Sequence, residues 1–299
     1  MSERALTALE SAIQVDPGGR GLGRLPGPNL FSACAGDLAR ACTRLASLPS
    51  ASRVGLFTGF FVVSAGAAET DGPFGTVLLA EVLARLGHRP AIFSDRHTLP
   101  GIALARADLP RDLQSAIEVV NLADGSPWSA GWDDFQILVA IERPGPGADG
   151  HLRSMNGTVI TDHHGPAHLW FERSPVPTIG VGDGGNEIGM GKLPVELIAA
   201  HVPYGAEIAC RLATTDLIVA GVSNWGGYAL AAGTALLLGR RDLCACFDPD
   251  REWHRWAEVL PRSGLVDALT HRAEMRVDGL EWATYIRPLA EIYALLTRG

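Results

Sequence analysis

Charge is scarce in this chain, and positive charge scarcer still. Only 19% of the 299 residues are charged, with 25 basic against 33 acidic side chains and a formal net charge of -8. A chain this poor in charge and 47% hydrophobic folds rather than staying solvated. It offers no basic stripe to neutralise phosphates, which argues against a nucleic-acid partner. Cysteine is sparse and odd in number: Cys34, Cys42, Cys210, Cys244 and Cys246. Their spacings match no zinc pattern, so they read as reduced thiols, mostly core filler. No apolar run reaches membrane-spanning length, since the longest, 229–238, is broken by Gly233. The first thirteen residues read as an amphipathic helix with charges throughout and lack the apolar stretch of a signal peptide. A cytoplasmic protein without a membrane partner is the expectation. No repeat of fixed period appears, and Ser223 lacks the Gly-x-Ser-x-Gly frame of a serine nucleophile.

Glycine, by contrast, is plentiful, with 35 residues gathered in short loops after apolar runs. Strands are expected at 54–58, 90–94, 117–120, 136–141, 158–161, 178–181 and 217–220. Helices are expected at 37–47, 74–86, 166–171, 225–238, 250–259, 264–273 and 281–297. Such alternation predicts a three-layer α/β/α fold, a mostly parallel sheet with helices on both faces and a helical C-terminus. No Pro/Ser-rich linker divides the chain, so residues 1–299 are read as one domain, with 143–157 as a site loop. Ligands in such sheets sit at the carboxyl ends of the strands. The polar glycine loops all follow strands, at Thr58-Gly59, Glu142-Arg143, Gly182 to Glu187 and Gly221 to Gly227.

The segment 178–191 is the richest. Gly180-x-Gly182-x-x-Gly185 matches a dinucleotide fingerprint in form only. Asp183 and Glu187 would repel phosphates, Gly189, Gly191 and Pro194 oppose an immediate helix, and no acid follows to hold a ribose. No nucleotide cofactor is therefore expected. Asp183, Asn186 and Glu187 instead suit a hard cation such as Mg²⁺ or Mn²⁺, or serve as polar anchors. Glu142 ends a buried strand, where burial raises its pKa for acid–base work and a cation lowers it for ligation. Arg143 has the alternative of pairing with Glu142 as a structural bridge. Thr70 and Asp71 precede the helix at Phe74; they either cap it or offer a substrate carboxylate a helix N-terminus. Asn224 and Trp225 enter an apolar helix, which Ser223 or Asn224 can cap, and Asn224 can bond an α-carboxylate or amine. Asp162-His163-His164 resembles the signature of metal phosphoesterases, whose aspartate pair after the first strand is missing here. Ligand pair and exposed loop are equal readings for Asp162 and His163.

Several segments together resemble the D-glutamate cyclase C-terminal domain family. They are Asp16-Pro17-Gly18-Gly19-Arg20-Gly21, Thr58-Gly59-Phe60, Glu69-Thr70-Asp71-Gly72-Pro73, Glu142-Arg143-Pro144-Gly145, Ala148-Asp149-Gly150, 182–191, 219–227 and Val277-Asp278-Gly279-Leu280. The resemblance implies cyclisation of D-glutamate, or a related amino acid, to 5-oxo-D-proline, assisted by a divalent metal in an acidic cavity. Glu142, Asp183 and Glu187 are then the catalytic candidates. Thr58, Gly59, Thr70, Asp71, Asn186, Asn224 and Trp225 are the substrate-binding candidates. Metal ligands are sought among Asp183, Glu187 and Glu142, with Asp162 and His163 as the alternative pair. The chain departs from the family at Asn156, Val159, His164 and His168, which replace an arginine, an acid, a threonine and an acid. That bears on the substrate. A phosphoesterase and a non-catalytic amino-acid-binding protein are the competing readings, and homo-oligomerisation is left open.

Overall fold

The computed structural model describes residues 2–122 and 134–298. Six strands form one sheet: β1 Arg53–Thr58, β2 Arg89–Ser94, β3 Glu118–Asn121, β4 Phe135–Ile141, β5 Thr178–Gly182 and β6 Asp216–Val219. Their order is β3-β2-β1-β4-β5-β6, and every neighbouring pair is parallel. Chain order thus reverses between β1 and β4, whose ends meet at Thr58 and Ile141. A doubly wound sheet opens a crevice at that point.

The strands read as near-continuous apolar runs because both faces are covered. Val54, Leu56, Ile92, Ile137, Val139 and Ile141 enter one core cluster. Seven longer helices pack into the same cluster: α1 Ser2–Ile13, α2 Asp37–Ala46, α3 Pro73–Arg85, α4 Leu99–Ala107, α5 Ser223–Leu237, α6 Pro249–Ser263 and α7 Arg287–Thr297. Alternate residues Phe57, Ala91, Phe93, Leu138 and Ala140 face the other way, against Trp170 and Phe171 of the short helix His168–Glu172. Phe57 and Phe93 stack there at 4.6 Å. Leu217 and Val219 of β6 are covered by Ile198 of the short helix Val195–His201. Helices therefore lie on both faces, with the long ones on one.

Two expected elements differ. Residues 158–161 do not join the sheet: Val159 makes one isolated antiparallel bridge with Arg153 and is 45% exposed, and Thr161–His163 forms a short 3₁₀ turn. Residues 264–273 are not helical. Gly264 takes φ +73° and ends α6, and the chain then winds around Asp267, which accepts from the amides of Leu269, Thr270 and Gly279. A left-handed glycine closing a helix is common, and a carboxylate bonding amides just ahead favours a turn. No helix among the described residues is long and apolar enough to cross a membrane.

Candidate active site

The loops after β1, β4, β5 and β6 converge at the carboxyl end of the sheet, beside a cavity of about 1020 Å³. Glu69, Glu142, Asp183, Glu187 and Asp278 line it. Asp71 lies directly behind, one of its oxygens within 4.8 Å of Asp183 and Asp278. Asp183 is 2% exposed and Glu142 6%. Arg20 is the guanidinium set against them, bonding Asp183 at 2.6 Å with one nitrogen and Asp278 with the other.

Each acid has its own local cause. After β5 the chain doubles back, and Glu187 accepts the amides of Asp183 (2.8 Å), Gly184 (2.6 Å) and Gly185 (2.7 Å). The acid expected to do chemistry thus spends much of its bonding capacity holding its own loop. Asp183 projects from that loop, and its Oδ2 is buried without a hydrogen-bond donor. Glu142 leaves β4 with φ +46° and accepts from the Ser223 hydroxyl at 2.5 Å. Among the described residues, five non-glycine positions have positive φ, and four of them, Glu142, Tyr204, His271 and Asp278, line this cavity. Backbone strain gathers at functional sites, where the surrounding fold holds it in place.

Asp71 and Asn224 tie two helices together. Helix α5 has no side-chain cap from its own preceding residue; Asp71 accepts the amides of Ser223 (2.8 Å) and Asn224 (2.7 Å) instead. Asn224 in turn accepts the amide of Gly75 in the first turn of α3 at 2.8 Å and donates to the Thr70 carbonyl at 3.1 Å. Each helix is therefore capped from the other's leading segment, and both N-termini open toward the acids, where their dipoles favour negative charge. This corrects the expectation that Thr70 or Asp71 caps the helix each precedes: α3 begins after Gly72 without a side-chain cap. A Cβ on Gly72 would stand 2.6 Å from both Glu142 Cβ and Thr58 Oγ1. One on Gly227 would stand 2.9 Å from Gly75 Cα, so only glycine permits this crossing.

Burial pushes the carboxyls of Glu69, Asp71 and Glu142 well above their ordinary range, with neighbouring acids adding to the effect. Burial raises Asp183 to about 6, with Arg20 pulling against it. Asp278 is raised to about 7 by the same contest. Such a set cannot be fully ionised without added positive charge. Two triads, Glu142/Asp183/Glu187 and Asp71/Asp183/Asp278, have oxygens within 4.8 Å of one another. All-oxygen donors and the orphaned Asp183 Oδ2 fit a hard divalent cation, with Asp183 common to both triads.

The other sequence candidates fall into two groups. Asn186 lines the cavity, with its amide nitrogen donating to the Arg153 carbonyl at 2.7 Å. Thr58, Gly59, Thr70, Asn224 and Trp225 lie outside the lining. Thr70 donates to the Arg276 carbonyl, and Trp225 to the Tyr285 carbonyl. Arg143 does not bridge to Glu142. It is fully buried and paired with Asp95, and it also donates to the Gly165 carbonyl at 2.8 Å. Asp162 is exposed, His163 stacks on Phe61 at 4.1 Å, and neither belongs to an acidic triad. Of the departures from the family, Asn156 lines the cavity; Val159, His164 and His168 do not.

Arg20, Glu69 and Asp278 were not singled out as site residues in the sequence. A signal existed for Arg20: Asp16 accepts the amides of Arg20 (2.9 Å) and Gly21 (2.8 Å), folding Asp16-Pro17-Gly18-Gly19-Arg20 into a tight loop that presents the guanidinium. An aspartate a few residues ahead of a glycine pair is a turn signature.

An α/β protein with a carboxylate-walled cavity at the switch point of a doubly wound sheet is the class these features define. Comparison with known proteins gives the family. The D-glutamate cyclase-like, C-terminal family matches residues 9–292, and the chain belongs to it. It is 35% identical over 254 residues to a human protein named D-glutamate cyclase, mitochondrial, an alignment covering 79% of this chain and 39% of that protein. The chain thus spans well under half the length of this relative.

Proposed function

We propose that the protein cyclises D-glutamate, or a close relative of it, to 5-oxo-D-proline with loss of water. The observation that carries this reading is the unpartnered Oδ2 of Asp183 beside Glu142, in a cavity where acids outnumber guanidinium groups. The reaction joins an amine and a carboxyl group of one molecule. Holding the two in contact can contribute about 7–11 kcal/mol to the rate. Two obstacles remain: the ammonium must lose a proton, and a carboxylate is a poor electrophile. Asp183, poised near neutrality, accepts the ammonium proton on its free oxygen. Glu142, kept protonated by burial, donates to the γ-carboxyl oxygen that departs as water. Arg20 holds Asp183 and Asp278 in place and faces the substrate α-carboxylate. Asp183 with Asp71 and Asp278, or with Glu142 and Glu187, would hold a divalent cation; seated on Glu142 it would keep that carboxyl ionised and replace its proton in polarising the γ-carboxyl group.

The test is incubation with racemic glutamate, with and without Mg²⁺ or Mn²⁺, followed by chiral chromatography. D-glutamate should fall as 5-oxoproline rises in equal amount, while L-glutamate persists. Thermal stabilisation by D-glutamate without turnover would instead make this a binding protein. Glu142→Gln should lower kcat by about 10²–10⁴-fold, the usual range for a positioned acid or base.

A further inference from the structure

The cavity is large for free glutamate. At about 1020 Å³ it stands at the upper end of the range of roughly 300–1,000 Å³ that encloses drug-sized ligands. Its acids are its buried part, and its exposed rim is mixed: Arg24, Ser64, Asn156, Thr158 and His271 are polar, and a separate group is apolar. Val63 (44% exposed), Tyr204 (61%) and Leu269 (71%) stand at the opening, with Phe60, Phe61 and Val62 beside them. An exposed apolar group of this kind, gathered at a cavity mouth, marks a contact surface. The floor points the same way. Arg20 is already shared between Asp183 and Asp278, and the second guanidinium of the lining, Arg24, stands at the exposed rim, so among the buried acids a second substrate carboxylate meets repulsion that an amide does not.

We propose that the preferred substrate is a γ-glutamyl amide with an apolar or aromatic amine substituent, which the site cyclises with release of that amine. The proposal rests on the cyclisation reading above. The α-nitrogen attacks the γ-carbonyl carbon and a ring C–N bond forms. The original amide C–N bond breaks, and its electron pair stays on the departing nitrogen. The α-ammonium gives up two protons in all, and the departing amine gains both, leaving as an ammonium ion. No water, oxidant or reductant is consumed. Asp183 and Glu142 suit this exchange, one receiving protons as the other delivers them. The substituent lies against Val63, Tyr204 and Leu269, which a free γ-carboxylate would not reach.

Three compounds test this on the full-length protein: D-glutamate, γ-D-glutamyl methylamide and γ-D-glutamyl benzylamide, with 5-oxoproline and free amine both quantified. The expected kcat/KM for the benzylamide exceeds that for the methylamide and for D-glutamate by about tenfold or more, the scale of burying a phenyl ring. Leu269→Ser, at an exposed position, should cut the benzylamide-to-methylamide ratio by about fivefold. Turnover of D-glutamate with slower turnover of both amides overturns the amide proposal and leaves the cyclisation reading standing. Turnover of the amides without D-glutamate does the reverse for the D-glutamate substrate. Equal rates for the two amides overturn the role of the apolar mouth, and no product from any of the three overturns both readings.

Discussion

Asp183 is 2% exposed and has one oxygen bound to Arg20 and the other without a donor. Its pKa in the fold, about 6, lies above the ordinary 3.8. A carboxyl raised in this way favours the folded state at low pH, and the benefit is lost as pH rises through 6. Asp183→Asn should therefore stabilise the chelator-treated protein, by about 1–2 kcal/mol more at pH 8 than at pH 4.5. Urea unfolding at both values checks this; an equal or inverse effect would show that the charge is not strained. Single residues were legible in the sequence where chemistry follows a strand: Glu142, Asp183, Asn186 and Glu187 do line the cavity. Their division of labour was not. That Glu187 accepts three loop amides depends on a backbone reversal that residue type alone does not specify. Glu69 and Asp278 reach the cavity from distant segments, and only tertiary packing brings them there.

Helices α3 and α5 illustrate how elements differ from their sequence signals. Both were readable from apolar runs, but their caps come from one another. Asn224→Ala should cost about 2–4 kcal/mol, because it leaves the buried Gly75 amide and Thr70 carbonyl without partners. Differential scanning calorimetry would show the loss; a fall below about 0.5 kcal/mol would mean that the caps are dispensable. The hairpin pairing Phe61–Val62 with Ala67–Ala68 is fastened in a similar way. The Phe61 amide donates to His164 Nε2 at 3.2 Å, while His164 Nδ1 bonds the Ile160 carbonyl at 3.0 Å. Burial, aided by Arg143, pushes the His164 pKa down to about 3. A histidine lowered from 6.5 gives stability that is complete above 6.5 and lost as pH falls. Between pH 7 and pH 5 the wild type should lose about 2 kcal/mol more than His164→Gln, measured by urea unfolding at each pH. Residues 158–161 and 264–273 misled because their apolar residues Ile160 and Leu265 are buried in core clusters from segments whose backbone forms an isolated bridge and a turn.

At the scale of the whole molecule, the doubly wound sheet was legible because strands covered on both faces are apolar throughout. The strand order, and with it the switch point between β1 and β4, followed from pairing that no single strand reveals. If the acidic floor holds a cation, stability should respond to it. Millimolar Mg²⁺ or Mn²⁺ should raise Tm by about 3–6 °C, and EDTA should reverse it, as expected for a ligand well above its Kd. The Asp183→Asn, Glu142→Gln double variant should lose that shift in a thermal-melt comparison; an undiminished shift would place the ion elsewhere.

Arg20 belongs to the described residues 2–52, which supply no strand to the sheet. The group that pulls the raised carboxyls of Asp183 and Asp278 back down thus comes from a part of the polypeptide that the sheet's own pairing does not include. Because the same stretch carries α1 and α2, whose Leu9, Ile13, Leu38 and Leu45 are buried in the main core, losing it would unsettle the packing behind the sheet and the acidity of the cavity together.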